Sequence, residues 1–217
     1  APSREWAVDG RVNGGVSVAG SDRSTVRVEA QVQTWARSLA QARAVAAAVK
    51  IRLPGDGVAL LADGPESKDG EGWAVSYKVF VPRSSDLELR THNGGVSIQD
   101  VEGRVRFDVV NGGVDLRRTG GDVQGRTVNG GLSIELTGER WSDKGLDART
   151  TNGGVQVKVP GGYNAEFRAE TTNGKLRFDL PNSTQADIRG RLTTTLGAGG
   201  PPIHVATTNG GVRVASR

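Results

Sequence analysis

Apolar and polar residues alternate along most of the chain, and Asn-Gly punctuates the alternation. Asn-Gly begins at Asn13, Asn93, Asn111, Asn129, Asn152, Asn173 and Asn209, and all but Asn173-Gly174-Lys175 continue as Asn-Gly-Gly. From Asn93 the successive intervals are 18, 18, 23, 21 and 36 residues. Three positions after each of these Asn residues lie Val96, Val114, Leu132, Val155, Leu176 and Val212; five after lie Ile98, Leu116, Ile134, Val157, Phe178 and Val214. Six before lie Leu87, Val105, Val123, Leu146, Phe167 and Ile203. All are apolar, and the residues between them are mostly polar. A period of two is the mark of a strand with one buried face. Each repeat therefore predicts a strand, an Asn-Gly-Gly corner, a second strand and a looser turn. The looser turns carry Gly103, Gly120-Gly121, Gly138, Pro160-Gly161-Gly162 and Pro181-Asn182. The last interval holds either two rungs or one rung with an insertion around Gly197 to Pro202.

Two folds fit this pattern. Asn-Gly between alternating strands is a hairpin signal and would give an antiparallel meander. Identical corners stacked on one another give instead a parallel solenoid, with equivalent residues about 4.8 Å apart. The outward residues favour the solenoid. Stacked in chain order, Glu88 meets Arg106, Arg90 and Arg126 flank Asp108, Asp147 meets Arg168, and Arg149 meets Glu170. Opposite charges at matched ladder positions support parallel stacking. The expected fold is all-β, a single-stranded parallel β-helix over residues 83–217.

Residues 1–82 read differently, as a strand-and-helix cap packed on the solenoid. Val26, Val28, Ala30 and Val32 alternate with polar residues, as do Trp73, Val75, Tyr77, Val79 and Val81 before Pro82. Between them, Thr34 to Val49 predicts a helix with Trp35, Leu39, Ala42, Ala46 and Val49 on one face. Pro54-Gly55-Asp56-Gly57 prevents its continuation. Asn13-Gly14-Gly15-Val16 resembles a first rung, although the residues before Asn13 break the rule.

Composition sharpens this picture in a few places. The 217 residues include 32 glycines and only 5% aromatics, so the core must be built from Val, Leu, Ile and Ala. There is no Cys, which excludes thiol chemistry and a disulfide framework, and no Met. The start Ala1-Pro2-Ser3 suits a mature end left by signal-peptide cleavage as well as it suits a trimmed boundary. No apolar run approaches the roughly 20 residues that span a bilayer, so no membrane insertion of this chain is expected. Net charge is +4. Neither a basic run nor interleaved aromatics accompany it, and nucleic-acid binding is not expected.

The residues that could carry chemistry have structural readings close at hand. The Asn amides suit a corner with positive φ and can bond one another. His92 and His204 fall at different ladder positions and point outward. There is no Gly-x-Ser-x-Gly elbow, no metal-ligand spacing and no Walker motif. The repeat acids Asp108, Asp147 and Glu170 are each matched to an arginine. The first Thr of Thr150-Thr151, Thr171-Thr172 and Thr207-Thr208 faces inward, which rules out a flat two-column Thr array. No catalytic, cofactor-binding or metal-binding residue is assigned, and no cofactor is expected.

The repeated Asn-Gly-Gly-Val, the early helix between strands, Val79-Phe80-Val81-Pro82, and Leu196-Gly197-Ala198-Gly199-Gly200 before Ile203-His204-Val205 and Asn209-Gly210-Gly211-Val212 resemble the bacterial "putative adhesin" β-helical domain family, whose function is largely uncharacterised. The resemblance covers nearly the whole chain. It implies a β-helical fold and export to the periplasm or cell surface, and it supplies no catalytic residues. The expected role is a non-catalytic scaffold, or an adhesin-like surface or envelope protein that binds a protein or polysaccharide partner. The alternatives are a carbohydrate-active enzyme, which would need converging unpaired acids, and a self-assembling filament, which would need an uncapped last rung near Val212 to Val214.

Overall fold

The computed structural model of the chain describes residues 5–53, 59–180 and 186–217. Ala1-Pro2-Ser3, the predicted stop Pro54-Gly55-Asp56-Gly57 and the predicted turn Pro181-Asn182 lie outside the described residues. The chain begins with β1 (Glu5–Asp9), β2 (Val16–Ser21), β3 (Arg27–Trp35), α1 (Leu39–Ala48), β4 (Lys50–Arg52), β5 (Leu61–Asp63) and β6 (Gly72–Pro82). Strands then come in pairs, a longer one before each Asn-Gly corner and a shorter one after it. These are β7 (Asp86–Asn93) with β8 (Val96–Gln99), β9 (Glu102–Asn111) with β10 (Val114–Arg117), and β11 (Gly120–Asn129) with β12 (Leu132–Glu135). Next are β13 (Gly145–Asn152) with β14 (Val155–Val159) and β15 (Ala165–Asn173) with β16 (Leu176–Asp179). A returning pair, β17 (Ala186–Ile188) and β18 (Arg191–Leu196), precedes β19 (Pro202–Asn209) and β20 (Val212–Ser216).

The paired strands form a parallel β-solenoid of two facing sheets. One has the order β1-β7-β9-β11-β13-β19-β15-β18, the other β17-β16-β20-β14-β12-β10-β8-β2-β6-β3. Every inward position named by the repeat rule fills the space between them: Leu87, Ile98, Val105, Leu116, Ile134, Phe167, Ile203 and Val214 are buried. At fully buried apolar positions of this kind, each side chain contributes about 1.5–3 kcal/mol of burial free energy. Two positions before each Asn, a buried Thr faces the core in most rungs. Its hydroxyl donates to a first-glycine carbonyl of the neighbouring rung: Thr127 to Gly112 (2.7 Å), Thr150 to Gly130 (2.7 Å), Thr207 to Gly153 (2.8 Å). The polar group is thus satisfied inside the core.

Four features depart from the expectations. First, the rungs do not stack in chain order. Strand β19 lies between β13 and β15, and β20 between β14 and β16, so the Asn column runs 93, 111, 129, 152, 209, 173. Asp147 and Arg168, and Arg149 and Glu170, are therefore separated by the strand carrying His204 and Ala206. The interval from Asn173 to Asn209 holds one rung plus the pair β17 and β18, which run antiparallel along the outer edges of β16 and β15. The last rung, flanked on both sides, offers no free stacking face at Val212 to Val214.

Second, residues 5–21 already form a rung. Strand β1 pairs with β7, β2 pairs with β8 and β6, and Asn13 bridges to Asn93. Val8 aligns with Leu89 but Asn13 with Asn93, so this rung carries one extra residue, taken up where Arg11 has φ 54. A one-residue bulge shifts the inward set, which is why the residues before Asn13 break the rule.

Third, the helix spans Leu39–Ala48 rather than Thr34–Val49. Ser38 caps it, its hydroxyl accepting from the Gln41 N–H at 3.3 Å. Residues 34 and 35 belong to β3. The helix buries Val45, while Leu39 is 68% exposed and Trp35 45% exposed. The predicted stripe began inside the strand and was therefore rotated around the helix.

Fourth, the corners do not rest on positive φ. Of the corner residues only Gly210, at φ 156, has one, and none of the corner Asn residues does. Close approach of backbones sets the requirement instead, and it does so at only one of the two glycines.

Candidate functional site

The corner builds from three columns. The Asn amides form a continuous ladder: Asn111 donates to Asn93 (2.7 Å), Asn129 to Asn111 (2.7 Å), Asn152 to Asn129 (2.8 Å), Asn209 to Asn152 (2.7 Å) and Asn173 to Asn209 (2.8 Å). These side chains hold one another and are structural. The next residue has no room for a side chain. A Cβ at Gly94, Gly112, Gly130, Gly153 or Gly210 would lie 2.1–2.2 Å from the first-glycine carbonyl oxygen of the adjacent rung. The third column is different. A Cβ at Gly15, Gly95, Gly113, Gly131, Gly154 or Gly211 would meet nothing closer than 3.2–3.5 Å, and none of these residues has positive φ. In the remaining rung this place is taken by Lys175. At Gly15, Gly113 and Gly154 the nearest contact, 3.4–3.5 Å, is an ordinary one, and at Gly95, Gly131 and Gly211, at 3.2 Å, the neighbouring carbonyl must give by a few tenths of an ångström; six of the seven rungs nonetheless have no side chain here.

The consequence is an open groove of about 1270 Å³ along the outer face of the second sheet. The second glycines form its floor, and the residues four after each Asn form its wall. In spatial order from β2 to β16 the wall reads Ser17, Ser97, Asp115, Ser133, Gln156, Arg213 and Arg177. Seven strands span about 29 Å at the usual spacing between neighbours. Asp115 is paired through Oδ2 with Arg117 at 2.6 Å, and its Oδ1 has no hydrogen-bond partner among the described residues. Past Gln156 the wall turns cationic, with Arg213 and Arg177 directly opposite each other and Lys175 beside them.

The opposite face of the solenoid carries the acids and His204. There a cavity of about 360 Å³ is bounded by Glu88, Arg90, Arg106, Asp108, Arg126, Asp147 and Arg149. Its carboxylates are committed to guanidinium groups. Arg126 binds Asp108 at 3.0 Å, Arg149 binds Asp147 at 2.8 Å, and Arg90 holds Glu88 on its own strand. Arg106 stands opposite Glu88 in the ladder, as expected, but bonds Asp122 at 2.9 Å. Asp108 does lie between Arg90 and Arg126, and among the described residues Arg126 alone bonds it. The hydrogen bond from Arg149, with a further one from His204, holds the Asp147 carboxyl well below the usual range. Burial alone would raise Glu170, but Arg168, Arg191 and His204 together bring it down. His204 is 18% exposed, with Nδ1 3.4 Å from Asp147 and Nε2 3.9 Å from Glu170. Asp147 and Glu170 are thus held as anions, the opposite of the raised pKa that a general acid requires. Among the described residues no group of three or more His, Cys, Asp or Glu side chains is arranged to hold a metal ion.

Sequence reasoning placed the Asn column, the inward Thr and the outward acids where they are found. It placed His92 and His204 at different positions, and His92 is exposed. It did not single out the groove. The signal was present in the one departure from the repeat: Lys175 shows that the second glycine is a choice rather than a steric necessity.

A family model described as Toastrack DUF4097 matches residues 40–215. The chain belongs to the Toastrack DUF4097 family. The fold of that family is β-solenoid-like, as is the architecture above. No curated protein matches the chain in sequence. A solved structure from Clostridium sporogenes ATCC 15579, described as a "putative cell adhesion protein", is similar to it at 9% identity, covering 98% of this chain and 92% of that one, with a TM-score of 0.49. That likeness carries no argument about function. Among the described residues of this Toastrack member, no helix is long and apolar enough to cross a membrane.

Proposed function

We propose that this Toastrack chain is a non-catalytic scaffold of the adhesin type, exported to the periplasm or cell surface, that presents the glycine-floored groove to an extended partner. The observation that carries the proposal is the second-glycine column. Six rungs leave out a side chain, three of them (Gly15, Gly113 and Gly154) where the backbone has ordinary contact room for one, and the omission opens a continuous trough. Glycine in a strand-edge position without a conformational need marks close approach by another molecule. The stack of ladders beneath the trough is rigid, so binding orders little of the protein itself, which limits the entropic cost of association. The carboxylates on the opposite face are held as ion pairs, which supports binding rather than turnover there.

The test is a binding screen of immobilised extended polymers, polysaccharides and unfolded polypeptides, with the wild-type chain and Gly154→Leu. A Cβ at residue 154 meets only an ordinary contact, 3.5 Å from the Gly211 oxygen, so this variant should fold while its side chain fills the trough. At least one polymer should bind the wild type, lose binding to the variant, and keep its chain length on prolonged incubation. Binding untouched by Gly154→Leu, or shortening of the bound polymer, would overturn the proposal.

A further inference from the structure

We propose that a second site lies where the Asn ladder ends at Asn13, and that it takes the acetamido group of an N-acetylhexosamine. This site is separate from the glycine-floored groove and does not rest on the function proposed for it. The ladder has a direction. Each Asn donates its amide N–H to the previous member of the stack, and the run ends where Asn93 donates to the Asn13 Oδ1 at 3.1 Å. The Asn13 Nδ2 donates to nothing among the described residues. An amide that accepts a hydrogen bond becomes a better donor, so a chain of aligned bonds polarises its last member. The Asn13 amide N–H group is therefore the open, donating end of the whole column. Asn13 lines a cavity of about 470 Å³, within the size range of small-molecule sites.

The other residues of the cavity supply what an acetamido sugar needs beyond one donor. Val12, beside the bulge at Arg11, is an apolar side chain left 61% exposed on the cavity wall. Trp73 lines the same space. Its Nε1 donates to the Pro65 carbonyl at 2.7 Å, and its ring lies so close to Gly64 that a Cβ there would be 2.6 Å from Cε2. The indole is thus fixed as an aromatic wall with a satisfied N–H. Asp63 and Glu66 provide acceptors. Asp63 gives one oxygen to Arg11 at 2.8 Å and the other to Arg52, and each carboxylate oxygen has a further lone pair. The lining charges are Glu66 and the Arg11–Asp63 pair, a mixed wall that suits a neutral polar guest. The acetamido carbonyl then accepts from Asn13, its methyl rests on Val12 and Trp73, and its N–H and the ring hydroxyls donate to Asp63 and Glu66. A peptide strand is the poorer occupant, because strand addition uses free backbone groups. The carbonyls of Arg11, Val12 and Asn13 already accept from the N–H groups of His92 (2.9 Å), Asn93 (2.9 Å) and Val75 (3.3 Å).

The measurement is nitrogen–proton correlation NMR of the full chain, following the Asn13 side-chain amide signals during titration with the disaccharide of N-acetylglucosamine. Cellobiose serves as the sugar without an acetamido group, the glucosamine disaccharide as the cationic sugar, and acetyl-asparagine amide as the peptide side chain. The acetylated disaccharide should move the Asn13 signals in a saturable way, and the three others should not. Asn13→Asp keeps an oxygen to accept from Asn93 and replaces the donor with a second oxygen; it should weaken binding about tenfold, the scale of one lost hydrogen bond. Val12→Ser, on an exposed side chain that the fold does not need, should weaken it about threefold through lost apolar contact, and it carries the test if Asn13→Asp disturbs folding. Cellobiose binding as tightly would overturn the acetamido assignment. Tighter binding of the glucosamine disaccharide would make the guest a cation, and tighter binding of acetyl-asparagine amide would make it a peptide; either would overturn the ligand class. Binding of the acetylated disaccharide that ignores both substitutions would overturn the site. So would Asn13 signals unmoved at about 10 mM sugar, where a site of millimolar affinity is filled.

Discussion

The two glycines of one corner give opposite predictions from adjacent positions. In Gly112→Ala the new Cβ would lie 2.2 Å from the Gly94 carbonyl oxygen and 2.5 Å from its carbon. Ordinary contact begins near 3.4 Å, so the strands must part by more than an ångström. That movement strains the Gly112 N–H bond to the Asn129 carbonyl (2.9 Å), the Gly94 N–H bond to the Asn111 carbonyl (3.0 Å), and the Thr127 hydroxyl bond to the Gly112 carbonyl (2.7 Å). Overpacking costs about 1–3 kcal/mol and a strained or lost internal hydrogen bond about 1 kcal/mol or more. The expected loss is about 3 kcal/mol. In Gly113→Ala the Cβ sits 3.4 Å from the Gly131 oxygen, and φ is not in the left-handed region. Removing glycine's freedom from the unfolded chain then contributes about 0.4–1 kcal/mol in favour of folding. The two variants should differ by about 3–4 kcal/mol in equilibrium urea denaturation, from the same backbone and the same substitution. Repeat arrays can open locally, so hydrogen exchange over residues 109–116 should accompany the melt. A Gly113→Ala variant as unstable as Gly112→Ala would refute the distinction between the two columns, and with it the claim that the second glycines serve something other than the fold.

Three further outcomes are expected. Thr150→Val removes the donor to the Gly130 carbonyl (2.7 Å) without changing shape much, since Val109 fills the equivalent place in its own rung; it should cost about 1 kcal/mol in urea denaturation. Arg118, through two hydrogen bonds of 2.8 Å working against burial, lowers the Asp100 carboxyl to about 2; its stabilisation is present above the ordinary Asp range and lost as pH falls towards 2, by at most about 2 kcal/mol. Acid titration of stability should therefore be flatter in Asp100→Asn, which tolerates the left-handed backbone there, φ 57. The stacking order is open to a direct check because the chain lacks Cys. Thr151→Cys with Thr208→Cys should form a disulfide readily, whereas Thr151→Cys with Thr172→Cys, about two strand spacings apart, should not; the reverse result would restore chain-order stacking.

What could be read from the sequence was whatever depends on period. The inward positions three and five after Asn and six before it, the inward Thr and the stacked Asn follow from the alternation, because a half-buried strand permits no other side-chain assignment. Boundaries were less legible where two periods meet. Trp35 keeps the helical spacing to Leu39 and Ala42 and falls out of phase with the alternation of Val28, Ala30 and Val32, yet the structure gives it to the strand. The bulge at Arg11 was invisible because any single residue can be extra, and only pairing with β7 shows which one is.

Stacking order was not legible at all, and the reason bears on the groove. All rungs carry the same inward pattern, so each could sit against any other in register. Outward charge was the remaining guide, and it favoured chain order, matching Asp147 with Arg168 and Arg149 with Glu170. The structure sets those matches aside: Arg168 pairs within its strand with Glu170, which also receives Arg191 at 2.9 Å, and Asp147 keeps Arg149 and gains His204. Exposed pairs contribute about 0–1 kcal/mol each, too little to decide the order of rungs that bury whole columns of Val and Leu. Backbone connections count for more. Strands β17 and β18 occupy the outer edges of β16 and β15, and Asn164 joins the loops on the turn side, its N–H donating to Glu139 (2.7 Å) and its Oδ1 accepting from Ala198 N–H (2.7 Å). Insertion of the last rung then has a result on the other face. In chain order Arg177 would stand against Gln156; in the observed order it stands against Arg213. The cationic end of the groove is thus a product of the stacking order, and it arises on the face where the second glycines leave the floor bare.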